Sequence, residues 1–428
     1  MRVKSTFFLC LCIYCCSCIK SESSTSKTFS DGKEKTLISD FSKTTKGHNE
    51  NVTAGAARLS VYKKRLEGKK VGLVANQTSI IFKKKDSLKV TSETRPEYIH
   101  LVDSLLSLKI NLIKVFAPEH GFRGTADAGE TVKDGIDKKT GLPLISLYGK
   151  NKKPGKAQLE DIEIMLFDIQ DVGVRFYTYI STLHYVMEAC AQNRIPLIVL
   201  DRPNPNGFYI DGPVLEKKYS SFLGMHPVPL VHGMTIGEYA MMINGEGWLE
   251  NNVLCNLTVV SCEGYDRREP YHLEVRPSPN LPNDKSINLY PSLGLFEGTH
   301  INAGRGTNHQ FQVFGAPFLD AKKYNYTYTP QPNAGAKKPK HIGELCYGKN
   351  LTNTPALNSI NLDWLIEAYK NTLHKKEFFN TNSFTLHAGT PLLQQQIEKG
   401  LSASAIKKTW QPKLRNFEVI RKKYLLYN

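Results

Sequence analysis

Four short apolar runs, each closing in polar side chains, limit what this chain can build. Val71-Gly72-Leu73-Val74-Ala75 ends in Asn76-Gln77-Thr78, and residues 110–116 lead into Pro118-Glu119-His120-Gly121. Residues 162–167 end in Asp168-Ile169-Gln170-Asp171, and residues 195–200 in Asp201-Arg202-Pro203-Asn204. Runs of this length suit buried strands. Between them, residues 96–108 carry Tyr98, Leu101, Val102, Leu105 and Leu108 at helical spacing behind Pro96. Residues 181–192 put Leu183, Val186, Met187 and Cys190 on one helix face. Strand and helix in alternation predict an α/β fold, a parallel sheet with helices on both faces. Crossovers of one hand bring all four strand ends to one edge, where such sheets hold their ligands. One polar ending is an ordinary turn; four predict a lined pocket.

Glu119 is the carboxylate this arrangement singles out. Pro118 ends its strand by removing an N–H donor, and Gly121 permits a sharp reversal. The local alternative is a carboxylate that caps the next turn. A polar, Gly-rich loop is expected from there to Gly149, carrying Asp127, Glu130, Asp134 and Asp137. Leu230-Val231-His232-Gly233 reads as a further strand end, and residues 257–260 as an edge strand. Thr235 and Glu238 have capping-box spacing, which explains Glu238 better than catalysis does. The Pro-rich stretch 277–282 marks a domain boundary. Beyond it, helices are expected near residues 361–374 and 391–426, with Ser402 as an N-cap and Trp410, Leu414, Phe417, Ile420 and Tyr424 packing inward.

Several chemistries lack their sequence signatures. No G-x-G-x-x-G follows the first strand, so no dinucleotide cofactor is expected, and there is no Walker A, G-x-S-x-G or H-E-x-x-H motif. No metal site is expected either: the histidines are scattered, and Cys190, Cys255, Cys262 and Cys346 have no zinc-ligand spacing and read as buried free thiols. The net charge of +16 is spread over Lys-rich tether and loops without any nucleic-acid-binding signature. An anionic polymer such as cell wall fits an exported basic protein better.

What remains is a cleft of carboxylates, amides and aromatic rings. Asn, Gln, Asp and Arg bond sugar hydroxyls, and Phe176, Tyr177 and Tyr179 either stack on a sugar face or simply pack. Glycoside hydrolysis suits such a site: one carboxyl is held protonated to donate to the leaving oxygen, and commonly a second attacks or activates water. Glu119, flanked by Phe116, Pro118 and Phe122, is the best-placed acid. For the second group the order of preference is Asp168, Asp171, Glu297.

The runs Phe116-Ala117-Pro118-Glu119-His120-Gly121-Phe122-Arg123-Gly124, Phe167 through Tyr179 and Leu200 through Gly207 resemble the NamZ family. So do His232-Gly233-Met234-Thr235, Glu297-Gly298-Thr299 with Asn302-Ala303-Gly304-Arg305-Gly306-Thr307, and the Trp410-Gln411-Pro412 ending. The resemblance implies exo-β-N-acetylmuramidase activity, releasing N-acetylmuramic acid (MurNAc) from the non-reducing end of peptidoglycan fragments. It implies a Rossmann-like domain (residues 55–278) and a smaller α+β C-terminal domain (279–428), with the site between them and Glu119 as the catalytic residue. Asp168 is expected to assist. Substrate contacts are expected from Asn76, Gln77, His120, Arg123, Asp171, Arg175, Tyr177, Tyr179, Asp201, Asn204, His232, Glu297, Asn302 and Arg305. The rival readings are a glycan-binding lipoprotein without turnover and another hydrolase on the same scaffold.

The N-terminus reads as a targeting segment. Arg2 and Lys4 precede an apolar run over residues 7–16 that is too short to span a bilayer. It ends in Cys15-Cys16-Ser17-Cys18, which resembles a bacterial lipoprotein signal (residues 1–17) with Cys18 as the lipidated first mature residue. Cys15 stands where such signals usually carry Leu. Residues 18–54 are Ser, Thr, Lys and Gly with few apolar side chains and read as a flexible tether. An exported, periplasmic or lipid-anchored protein is expected, touching the membrane through that anchor alone.

Overall fold

The computed structural model describes residues 51–82, 97–119, 121–122 and 134–428. His120, Arg123, Asp127, Glu130 and the signal and tether, with Cys18, lie outside the described residues. Helix α1 (Leu59–Leu66) leads into β1 (Val71–Ala75), and β2 (Ile80–Phe82) pairs antiparallel with β3 (Tyr98–His100). Then come α2 (Leu101–Ser107), β4 (Leu112–Ala117), β5 (Gly135–Ile136), β6 (Pro143–Ser146), α3 (Lys156–Leu159), β7 (Ile164–Asp168), α4 (Tyr179–Gln192) and β8 (Leu197–Leu200). Helix α5 (Ile236–Gly245) and β9 (Leu257–Val260) complete a seven-stranded sheet of order β5-β6-β4-β1-β7-β8-β9. Every pairing in it is parallel except β5 with β6.

Side-chain alternation explains the layers. Leu73, Ala75, Leu166, Ile198 and Leu200 pack with Tyr62, Leu66, Leu101 and Leu105 of α1 and α2 on one face. Val74, Phe116, Phe167 and Val199 pack with Leu183, Val186, Tyr239 and Met242 of α4 and α5 on the other. Both faces are covered, as a parallel sheet requires.

The second region holds α6 (Asp284–Leu293), a three-stranded antiparallel sheet of β10 (Val313–Ala316), β11 (Tyr326–Tyr328) and β12 (Cys346–Asn350), then α7 (Asp363–Lys370), α8 (Thr381–Ala388), α9 (Leu392–Glu398) and α10 (Ala403–Lys422). Its core is continuous with the α4–α5 face: Leu293, Phe296, Phe314, Trp364, Ile406 and Trp410 belong to the same buried cluster.

Three expectations change. The helix behind Pro96 starts later, because Tyr98–His100 pairs with β2 and Leu101 N–H donates to Ser79 O at 2.7 Å. The expected loop to Gly149 contains a sheet strand, β6, paired with β4. Val231 makes only isolated bridges to Val174 and Asp211, so His232 does not end a sheet strand. The capping box of Thr235 and Glu238 and the Ser402 cap form as read, and the cysteines among the described residues are buried and free.

Candidate active site

Counting only its parallel strands, the sheet runs β6-β4-β1-β7-β8-β9, so the chain builds outward from β1 to β6 and then returns to start again beside β1 at β7. The loops after β1 and β7 therefore diverge, and the crevice outside their C-terminal ends is the switch point where such sheets bind ligands. Ala75 and Asp168 face each other at that end, and β4, which delivers Glu119, lies on the other side of β1.

Glu119 is half-buried there. Thr178 Oγ1, just before α4, donates to its Oε2 at 3.0 Å, and the Tyr179 hydroxyl reaches its backbone oxygen at 3.4 Å. Asn76 Nδ2 donates to that same Tyr179 oxygen at 2.9 Å. The Tyr148 hydroxyl, beyond β6, also bonds the Glu119 carboxylate; burial and that charge hold its phenol well above the ordinary range. Tyr290 of α6 marks the convergence. Its phenol is pushed up by burial; Arg305 opposes the shift, and Glu297, Glu119 and Asp171 add to it. Carboxylates from three parts of the chain thus act on one hydroxyl.

Asp171 is buried, and Gly173 N–H donates to its Oδ2 at 2.7 Å, while Oδ1 has no hydrogen-bond partner among the described residues. Burial pushes its pKa up to about 7. His232 Nε2 lies 3.7 Å from Asp171 Oδ2, too far to hydrogen-bond, and has no partner among the described residues. His232 Nδ1 accepts from Met234 N–H, and burial, with Arg421 and Arg175, holds the ring neutral with a pKa of about 3. Glu297 behaves oppositely. Burial alone would raise it, but Arg305, Lys340 and His387 outweigh that and bring it down to about 2. Arg305 Nε donates to Glu297 Oε2 at 3.1 Å, and Lys340 Nζ donates to the carbonyls of Phe296, Glu297, Thr299 and Ile301.

Other expected contacts are consumed by the scaffold. Asp168 is fully buried, and Arg202 takes both its oxygens, Nε to Oδ1 at 2.6 Å and an NH2 nitrogen to Oδ2 at 2.9 Å. Its charge is matched inside the protein, and both of its oxygens are already engaged by that arginine. Asp201 receives Thr235 Oγ1, Gly237 N–H and the Tyr427 hydroxyl, which makes it a buried anchor for α5 and the C-terminus; burial raises its pKa to about 6. Asn204 holds Met234 O and Asn206 N–H. Arg175 donates to the carbonyls of Pro213, Val228 and His387. Asn302 braces its own loop through Arg305 O, Lys340 O and Gly304 N–H. The Tyr177 hydroxyl and Gln77 Nε2 both donate to Pro277 O; Gln77 also lines an open cavity with Tyr98, His100 and Phe122.

Reading the sequence missed Tyr148, Thr178 and Tyr290. Thr178 stood between the two tyrosines already weighed; Tyr148 was hidden because β6 was read as loop; Tyr290 carries no local signal.

A parallel sheet that carries a hydroxyl-bonded glutamate at its switch point, a second carboxylate in the turn after β7, and a carboxylate with its arginine from a second region together define a two-domain α/β glycosidase. The chain belongs to the exo-β-N-acetylmuramidase NamZ family: residues 71–285 match the family's N-terminal region and 288–427 its C-terminal region. It is 40% identical over 390 residues to the peptidoglycan β-N-acetylmuramidase NamZ of Bacillus subtilis, covering 86% of this chain and 89% of that protein. Two crystal structures of DUF1343 family proteins from Bacteroides fragilis are similar. One is 42% identical with a TM-score of 0.77 and the other 30% identical with 0.72; each match covers 88% of this chain and 99% of that one.

Proposed function

We propose that this protein is an exported glycoside hydrolase that removes β-linked MurNAc from the non-reducing end of peptidoglycan fragments, with Glu119 as general acid/base. The observation that carries the reading is Glu119 itself, held at the switch point by Thr178 and Tyr148 within a chain of this family. The named activity of the Bacillus relative supplies the substrate class. Hydroxyl donors on the carboxylate fix its direction, as a proton donor to a glycosidic oxygen must be fixed. Asp171 and Glu297 are the further carboxylates of the site.

The test offers a chromogenic β-MurNAc glycoside and the matching β-GlcNAc glycoside to purified protein and to Glu119→Gln. Turnover of the MurNAc compound is expected, falling about 10²–10⁴-fold in the variant. Equal rates in both proteins would remove Glu119 from the role, and binding without turnover in wild type would leave a glycan-binding protein. Export through the N-terminal signal, with lipid on Cys18, belongs to the same proposal. Cys18→Ser is expected to move the protein from the membrane to the soluble fraction of the cell envelope.

A further inference from the structure

MurNAc differs from GlcNAc by a lactyl ether that ends in a carboxylate. A crevice carrying Glu119, Asp171 and Glu297 repels that group unless a cation receives it. Among the described residues, three basic side chains of this part of the fold are already committed. Arg175 spends its terminal nitrogens on three carbonyls, Arg202 on Asp168 and Ile80 O, and Lys340 on four carbonyls.

Arg305 is different. It bonds Glu297 through Nε alone; its two terminal nitrogens hydrogen-bond to no described residue. Neither is among the buried unpaired atoms, and the side chain is 23% exposed, so the outer edge of the fork meets solvent. Its charge acts on both Glu119 and Tyr290, which places it in the same crevice.

The fork is also held in advance. The guanidinium lies over the Phe311 ring, 5.2 Å from its centroid, and that ring packs edge-on against Tyr290 at 4.8 Å. Phe311 has φ +52°, a left-handed backbone that a bulky residue adopts at a cost and that sites tolerate where a side chain must be aimed. Asn302 Nδ2 fixes the Arg305 carbonyl at 3.1 Å. The edge formed by the two terminal nitrogens of the planar fork matches a carboxylate in two-pronged fashion.

We propose that Arg305 receives the lactyl carboxylate of MurNAc and is the residue that makes the site prefer MurNAc over GlcNAc. This rests on the substrate proposed above. Glu297 and Phe311 are its positioning residues: one holds Nε, the other the face.

The experiment measures kcat and KM of the full chain on three chromogenic β-glycosides: MurNAc, its lactyl methyl ester, and GlcNAc. Wild type is compared with Arg305→Met, which keeps the stem over Phe311, and with Arg305→Lys. Wild type is expected to lose about 10–100-fold in kcat/KM on the ester relative to the acid, mostly through KM. Arg305→Met is expected to handle acid and ester alike, and Arg305→Lys to recover part of the preference. The ester arm uses wild type alone, so it reads the carboxylate even if a variant fails to fold. Turnover of the acid and ester at equal efficiency by wild type would overturn the assignment of the carboxylate. An undiminished preference for the acid in Arg305→Met would overturn that of Arg305. Absence of MurNAc turnover by wild type would instead overturn the substrate reading, and this proposal with it.

Discussion

Two aspartates three residues apart fare differently, and each gives a test. Asp168 and Arg202 form a buried pair in which every charged atom of the carboxylate is engaged. Asp168→Asn leaves Arg202 buried without its counter-ion, a change that costs about 3–5 kcal/mol when one partner of such a pair is removed. Denaturant midpoints should record that loss while kcat, read on the folded protein in mild conditions, stays near the wild-type value. A collapse of kcat with unchanged stability would return Asp168 to the chemistry. Asp171 tests pH instead. Its pKa rises from the ordinary 3.8 to about 7 in the fold, so between those values the folded state binds the proton more tightly than the unfolded chain. The stability it contributes is full below about pH 4 and is lost as pH rises through about 7. Asp171→Asn keeps an oxygen for Gly173 N–H but cannot ionise. Wild type should therefore lose stability relative to this variant between about pH 5 and pH 8, measured by denaturation at both. His232, whose folded pKa is depressed, contributes in the opposite sense but is present in both proteins. A flat difference between the two proteins would show that Asp171 does not titrate in this window.

Elements were legible where burial was two-sided. β1, β7 and β8 are continuous apolar runs because both faces are covered, and their polar endings lie at the sheet edge that also carries Glu119. β6 and β3 were not legible: Pro143–Ser146 and Tyr98–His100 are short, partly exposed, and defined by partners far along the chain. Losing β6 also lost Tyr148. Polar strand endings could not be sorted into those that face the crevice and those the scaffold uses, since Asp168 depends on Arg202 and Asp201 on Tyr427. The turn after β7 offers the test at this scale. Gly173 has φ +76°, and a Cβ there would lie 2.3 Å from the Asn204 amide that holds Met234 O. Gly173→Ala combines a strained backbone with this overlap and should destabilise by about 1–3 kcal/mol. The loss should appear as a lower denaturation midpoint. Thr178 follows in the same segment, so turnover should fall with it; an unchanged midpoint would mean that the turn can relax.

At the scale of the whole molecule, the two regions matched by the family share one interior. The buried cluster under α4 and α5 continues without a break into Phe296, Phe314, Trp364 and Ile406. The last residues then return to the first region. Tyr427 OH donates to Asp201 at 2.5 Å, Leu426 N–H donates to Glu238 at 2.7 Å, and Arg267 donates to Tyr427 O. Arg175 reaches across to the His387 carbonyl at the end of α8. A fragment of residues 55–285 would therefore bare the apolar side of α4 and α5 and strand Asp201 and Arg175 without these partners. Unsatisfied buried polar groups cost about 1–3 kcal/mol each, comparable to much of the 5–15 kcal/mol that separates a folded domain from its unfolded chain. The fragment should keep helical signal, bind a hydrophobic dye and melt without a cooperative transition, whereas the chain from residue 55 to the C-terminus should melt cooperatively. Tyr427→Phe in the full chain isolates one such contact and should lower stability by about 1–3 kcal/mol with Glu119 untouched. Cooperative melting of the fragment alone would mean that the sheet region is self-sufficient, and that the second region is docked onto a finished core instead of completing it.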